Sequence, residues 1–160
     1  MTLLVQSDKA PDWGWLAGKP DYLLAGSEQN PACKSFDPAF QPGQRLYFRL
    51  RANPTVKRKF PGESASKRIG LYKEEDQQAW LARKAEQGGF QILSSQATAE
   101  GKVGGQIHRS PEESHRLNLL AVRFEGLLQV TDPERFRQSV QSGIGSGKGL
   151  GFGLLSLARA

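Results

Sequence analysis

The order of strand-like and helix-like segments after residue 44 constrains the fold of this chain more than any single motif. Alternating apolar and polar residues indicate strands, and apolar residues three or four positions apart indicate helices. The segments predicted in this way are a strand at Arg45–Ala52 or Ile69–Tyr72, a helix from Glu74, strands at Phe90–Leu93 and Leu119–Thr131, a helix from Pro133, and a strand at Leu150–Leu157. This order is typical of an α+β, ferredoxin-like (RRM-like) βαββαβ domain, an antiparallel sheet with helices on one face. The sequence leaves open which of the two candidates is the first strand.

The residues from Arg45 to Ala52 predict a strand with two unlike faces. One face is apolar and the other carries arginines and Tyr47. A strand exposes alternate residues on opposite faces, so the apolar set is expected in the core. The long polar segment 94–118 predicts a hairpin or a loop.

Both helices have recognisable ends. Three carboxylates from Glu74 to Asp76 suit the positive end of a helix dipole, and Gly88-Gly89 supplies the stop. Asp132 is in position to cap the second helix, with Pro133 in its first turn and Gly143 at its end.

The first forty residues are rich in glycine and proline and predict mostly loop. Only Leu3 to Gln6 has the pattern of a short strand. A strand at the start of the chain followed by a long loop suggests a chain that begins within a fold.

The charge of the chain favours a polyanionic partner. It contains 22 Lys and Arg against 16 Asp and Glu, which gives a formal net charge of +6. Cys33 is the only cysteine, which excludes an internal disulfide and a cysteine-rich zinc site and suits a cytoplasmic protein. No apolar run is long enough for an export signal or a membrane span.

A basic stretch from Arg45 to Lys73 contains Glu63 as its only acid. Such one-sided charge suits phosphates, and the ring of Tyr47 is able to stack on a base. The candidates for nucleic-acid contact in this stretch are Arg49, Arg51, Lys57, Arg58, Lys67 and Arg68. The alternative is a solvated strand face and loop.

Glycine occupies every second position from Gly143 to Gly153. The spacing fits neither a P-loop nor a dinucleotide-binding motif. Backbone without side chains allows close approach and offers N–H donors to phosphate oxygens, to which Lys148 would add charge. The alternative is a tight helix-to-strand connection whose glycines permit packing.

His108 and His115 are the only histidines. A general acid or base at neutral pH is often a histidine. These two lack partners at metal-ligand or catalytic-triad spacing, so we interpret them as surface residues. The sequence predicts no metal site and no cofactor.

Three stretches together resemble the CasE family of CRISPR-associated endoribonucleases. They are PGQRLYFRLRANPTVKRK at Pro42–Lys59, EEDQQAWLARKAEQGGF at Glu74–Phe90, and VRFEGLLQVTDPERF with GIGSGKGLGFGLLSLA between Val122 and Ala158. The resemblance implies two ferredoxin-like domains in tandem, here an incomplete one at 1–56 and a C-terminal one at 57–160. It also implies two partners, CRISPR repeat RNA and the other subunits of the Cascade complex, with no membrane and no small-molecule cofactor.

The resemblance also implies site residues. The family's glycine-rich loop matches Gly145, Gly147, Lys148 and Gly149, and His115 and Arg116 fall where a hairpin is expected to reach the repeat stem. The implied chemistry is metal-independent: the RNA 2′-hydroxyl attacks the adjacent phosphate and leaves a 2′,3′-cyclic phosphate. The family's N-terminal segment with the catalytic histidine has no match here, so no catalytic residue is assigned.

Three functions follow as expectations. The first is a shortened endoribonuclease whose cleavage is impaired. The second is a non-catalytic RNA-binding subunit of Cascade. The third, ranked last, is a general ribonuclease in which His108 or His115 substitutes as the catalyst.

Overall fold

The computed structural model describes residues 4–7, 9–19, 33–108 and 114–160, without the side chains of 17, 18, 106–108 and 114–116. The chain divides into two compact units, Met1–Pro38 and Ala39–Ala160. No helix among the described residues is long and apolar enough to cross a membrane.

In the first unit, the described residues contain one regular element, a 3-10 helix at Gly14–Gly18. The Asp12 carboxylate accepts a hydrogen bond from the Gly14 N–H at 2.8 Å at its start. The strand predicted at Leu3 to Gln6 is wrong for residues 4–6, which lie outside any strand, and Leu3 lies outside the described residues.

The second unit has the ferredoxin-like order that the sequence predicts. Its elements are β1 (Arg45–Ala52), β2 (Thr55–Arg58), β3 (Lys67–Gly70), α1 (Glu74–Gln87), β4 (Phe90–His108), β5 (Ser114–Val130), α2 (Pro133–Ser142), a 3-10 turn at Lys148–Leu150, and β6 (Leu155–Arg159). The four-stranded sheet has the order β4-β5-β1-β6, and all its pairs are antiparallel. β2 and β3 form a separate two-stranded ribbon.

The first strand of the sheet is therefore Arg45–Ala52, because it pairs with β5 on one side and β6 on the other. The other candidate, at Ile69–Tyr72, contributes only Ile69 and Gly70, which belong to the ribbon. Since β1 lies in the sheet of the second unit, the compact units divide after Pro38, where the sequence placed the domain boundary at 56. A ferredoxin-like identity for the earlier residues stays a prediction.

The core forms where the apolar face of the sheet meets the two helices. Leu46, Phe48, Leu50 and Ala52 are buried, and the residues between them are exposed or half-buried, which confirms the two unlike faces of β1. Trp80 of α1 stacks on Phe124 with ring centroids 6.0 Å apart, and Phe136 of α2 packs edge-on to Phe90 at 5.3 Å. Each large apolar side chain buried here contributes roughly 1.5–3 kcal/mol.

Three boundaries show where local patterns were sufficient and where they were not. Asp132 accepts a hydrogen bond from the Arg135 N–H at 3.1 Å, which confirms the predicted cap of α2. β4 continues to His108, so the polar segment after Leu93 forms a long hairpin with β5. β6 begins at Leu155 and not at Leu150, because the 3-10 turn occupies Lys148–Leu150.

Candidate nucleic-acid interface

A groove of about 500 Å³ lies between the β2–β3 ribbon, the C-terminal half of α1 and the glycine-rich loop after α2. Its lining contains five cationic side chains: Lys57, Arg68, Arg83, Lys84 and Lys148. Neither Asp nor Glu is among the described residues that line it. Because nothing in the lining offsets these charges, the groove is suited to an anion.

The ribbon brings basic residues into direct opposition. Lys57 is the cross-strand partner of Arg68, and Arg58 is the partner of Lys67. Neighbouring residues of a strand point to opposite faces, so only the first pair faces the groove. On the other face, the Lys67 ammonium forms an ion pair with the Glu63 carboxylate. Of the predicted contacts on this ribbon, Lys57 and Arg68 lie in the groove and Arg58 and Lys67 do not.

Helix α1 contributes two cations that the sequence pointed to only as helix-end residues. Arg83 is exposed, and the half-buried Lys84 donates to the Gln87 side-chain oxygen at 3.1 Å. The signal was the adjacent pair itself. Its role depends on tertiary packing, because Trp80 anchors α1 against the sheet and so sets the face that points to the ribbon.

The glycine-rich loop is closed by its own backbone. Ile144 donates to the Gly153 carbonyl at 2.8 Å, and Gly153 donates to the Arg51 carbonyl at 2.8 Å. A Cβ on Gly153 would lie 2.7 Å from the Ile144 carbonyl oxygen, so close packing explains this glycine. The packing alternative raised by the sequence therefore applies to part of the loop.

Two of the four predicted contacts in this loop line the groove. These are Gly145 and Lys148. Gly147 lies against Phe152, and Gly149 has open space where a side chain would be. Gly145 has a positive φ of 86° and borders the indole of Trp80, so it shapes the groove wall.

Asn53 connects the loop to the sheet from a buried position. Its side-chain oxygen accepts from the Leu120 N–H at 3.2 Å, and its amide donates to the Ser146 hydroxyl at 3.4 Å. Asn53 and Ser146 also form a backbone bridge. This residue, which the sequence did not single out, holds the loop beside the end of β1.

Arg49 and Arg51 lie on the open face of the sheet, and neither lines the groove. Arg49 pairs with Glu125 at 2.6 Å, Arg51 pairs with Glu100 at 2.7 Å, and Arg123 lies 3.4–3.5 Å from both carboxylates. The charge on this face is therefore largely neutralised. The two acids come from β4 and β5, so a count of local charge around β1 did not include them.

His115 and Arg116 lie near the end of the β4–β5 hairpin. Their backbone is in β5, opposite Ile107 and Gln106. Their side chains are outside the described residues, so their predicted contact with RNA stays a prediction. Within the described parts of the chain, no cluster of His, Cys, Asp or Glu is arranged to hold a metal ion.

The sequence of the chain is similar to that of known CRISPR proteins. Residues 1–159 match a family model described as CRISPR associated protein. The chain is 39% identical over 169 residues to the CRISPR-associated endoribonuclease Cse3 of Thermus thermophilus, covering 98% of this chain and 72% of that protein. It is 36% identical over 132 residues to the CRISPR system Cascade subunit CasE of Escherichia coli K12, covering 74% of this chain and 60% of the relative.

Solved structures share the fold. Thermus thermophilus Cse3 bound to an RNA representing a pre-cleavage complex matches with a TM-score of 0.64 and 41% identity, over 79% of this chain and 59% of that one. Cas6e from Escherichia coli K-12 matches with a TM-score of 0.63 and 32% identity, over 79% of this chain and 66% of that one. The chain thus spans between 59% and 72% of the length of these relatives. With the family model matched from its first residue to its second-last, the chain belongs to the CasE/Cse3 family of CRISPR-associated proteins.

Proposed function

We propose that this chain binds the hairpin of a CRISPR repeat RNA, and that the cationic groove is a principal contact. The observation that carries this proposal is the groove itself, with five cations and no carboxylate among its described lining residues. Phosphate contacts by Lys and Arg supply a large share of nucleic-acid affinity. A relative with 41% identity is known in complex with RNA, which supports RNA as the anion.

The proposed setting is a Cascade complex in the cytoplasm. One relative is named as a Cascade subunit, and another similar chain is part of a CRISPR RNA-guided surveillance complex. The other Cascade subunits are therefore the proposed protein partners. The hairpin with His115 and Arg116 is the proposed contact with the repeat stem.

Metal-independent cleavage of precursor CRISPR RNA to 2′,3′-cyclic ends is the proposed activity of the whole protein. That reaction needs groups that remove a proton from the 2′-hydroxyl and return one to the leaving oxygen. No histidine is among the described residues lining the groove, and its lysines and arginines are protonated at neutral pH. The groove residues are thus proposed to bind the RNA and not to cut it, and a non-catalytic RNA-binding subunit remains the alternative.

A single experiment tests binding and cleavage together. The purified chain is incubated with the repeat hairpin of its own CRISPR array in excess EDTA, and bound and cleaved RNA are resolved on native and denaturing gels. We expect a complex that weakens steeply as salt rises, because bound phosphates release counterions. Binding that ignores ionic strength, or equal affinity for an unrelated hairpin, would contradict the proposal. Cleavage at one position in EDTA would favour the endoribonuclease over the non-catalytic subunit.

A further inference from the structure

The two faces of the β2–β3 ribbon differ in how their charges are compensated. On the outer face, Glu63 forms an ion pair with Lys67. On the groove face, neither Lys57 nor Arg68 has a carboxylate within ion-pair distance among the described residues, although the two are direct cross-strand partners. Like charges placed directly opposite each other destabilise a strand pair. The groove face therefore lacks the counterion that the outer face has.

The same groove gathers further uncompensated charge from the rest of the fold. Arg83 and Lys148 form no ion pair with a described residue, and Lys84 bonds only to the neutral Gln87. A two-stranded ribbon is marginally stable by itself in water. An anion in the groove would relieve repulsion on the ribbon and connect it to α1 and to the glycine-rich loop.

The lining also indicates which part of an RNA fits. Stacking on an exposed aromatic ring is the common way to hold an unpaired base. The one aromatic residue in the lining is Trp80, which is 2% exposed and has its indole edge against Gly145. Its ring face is stacked on Phe124 and not available to a base. The chemistry of the groove is suited to phosphate oxygens and not to base edges.

We infer that the groove is a subsite for the sugar–phosphate backbone of one RNA strand, with phosphates held by Lys57 and Arg68 on the ribbon and by Arg83 on α1, and without reading of the bases. This inference rests on the proposed function and deepens it. It assigns Arg83 and Lys84 as binding residues and separates two jobs: the groove supplies affinity, and sequence selection belongs to other surfaces.

Salt-dependent binding tests this subsite. Affinity for the repeat hairpin is measured by fluorescence anisotropy across a KCl series for the full chain and for Arg68→Ala and Arg83→Ala. Each variant is expected to bind about ten-fold more weakly, with the slope of log affinity against log salt reduced by roughly 0.7–0.9. The same loss is expected on a hairpin of equal shape with its unpaired bases replaced by uracil.

Lys73→Ala is the matched control. It removes one charge from an exposed position at the other end of α1, outside the groove, where the side chain does not cap the helix. We expect its affinity within two-fold of the parent chain. If the groove variants behave like Lys73→Ala, or if their loss is confined to one base sequence, the subsite is overturned. Arg68→Lys and Arg83→Lys keep the charge and are expected to restore the slope, which gives an answer even if an alanine variant folds poorly.

A separate probe distinguishes failure of the subsite from failure of the proposed function. If the parent chain does not bind the repeat hairpin, the proposed function fails, and the groove is then titrated with inorganic tripolyphosphate and followed by NMR. Shifts at Lys57, Arg68 and Arg83 amides that disappear in Arg68→Ala would keep an anion subsite. Absence of those shifts would overturn it as well.

Discussion

Gly145 lies so close to Trp80 that a Cβ at this position would be 3.0 Å from the Cζ2 atom of the indole. The indole is buried and stacked on Phe124, so it has little room to move away. Gly145 also has a φ of 86°, which L side chains rarely adopt. One glycine therefore links the core of the domain to the wall of the cationic groove.

We predict that Gly145→Ala lowers the free energy of unfolding by about 2–4 kcal/mol, from backbone strain and from the contact with Trp80. Gly151→Ala is the matched control, because Gly151 has a φ of 80° and no atom within 4 Å of an added Cβ. Urea unfolding of both variants separates the two causes. Equal losses in both would mean that the Trp80 contact contributes nothing.

Gly126 in β5 is a second position where the fold requires glycine. A Cβ there would lie 2.0 Å from the Ser94 carbonyl oxygen, beside the register shift between Ile92 and Ser94. Since that oxygen belongs to backbone in a paired strand, we predict that Gly126→Ala costs more than about 3 kcal/mol or prevents folding. Soluble yield and thermal unfolding by circular dichroism check this. Gly105→Ala, in the same strand pair with open space around it, should stay within about 0.5 kcal/mol of the parent.

Local sequence was sufficient to predict most of this fold. The alternation in β1 predicted which residues are buried, and Asp132-Pro133 predicted the start of α2, because both signals depend on neighbouring residues only. The 3-10 turn that delays β6 was missed, since it is stabilised by the bond from Leu150 N–H to the Gly147 carbonyl within an unusual glycine pattern. Nothing in the sequence around Ile69 revealed that it pairs with Val56 in a separate ribbon.

The site was only half predictable, for a different physical reason. A count of charge along the chain identified Lys57, Arg68 and Lys148, but it gave Arg49 and Arg51 equal weight. Strand pairing places carboxylates beside those two arginines, and helix packing adds Arg83 and Lys84 to the groove. Electrostatic character depends on neighbours in space, which a linear pattern does not supply.

Asn53 is predicted to position the glycine-rich loop. Asn53→Ala would leave the Leu120 N–H without its acceptor in a buried place, at a cost of about 1–3 kcal/mol. Ser146→Ala removes only the weaker 3.4 Å contact to the loop and should cost less than half as much. Urea unfolding measures both. A larger effect for Ser146→Ala would contradict a central role for Asn53.

Glu134 in the first turn of α2 predicts a small dependence of stability on pH. Hydrogen bonds from Arg137 and then Gln138 lower the pKa of Glu134 below its usual value of 4.5. A carboxyl whose pKa is lower in the folded state stabilises the fold above the unfolded pKa and loses that effect as pH falls through the folded one. We therefore expect Glu134→Gln to be less stable than the parent at pH 6, with the difference disappearing as the pH is lowered well below 4.5. A difference that persists unchanged at pH 2 would contradict this ion pair as the cause.

Arg49 and Arg68 provide the sharpest comparison between the open sheet face and the groove. Both are exposed arginines on strands, but the Arg49 guanidinium lies 2.6 Å from the Glu125 carboxylate, whereas Arg68 has no carboxylate partner among the described residues. An exposed ion pair contributes about 0–1 kcal/mol, so Arg49→Ala should change stability little. Its effect on affinity for the repeat hairpin should be under three-fold, against about ten-fold for Arg68→Ala, because Glu125 already offsets the charge of Arg49. Anisotropy titrations of both variants at two salt concentrations check the prediction. If Arg49→Ala is the more damaging change, RNA contacts the sheet face despite its carboxylates, and Glu125→Gln should then strengthen binding.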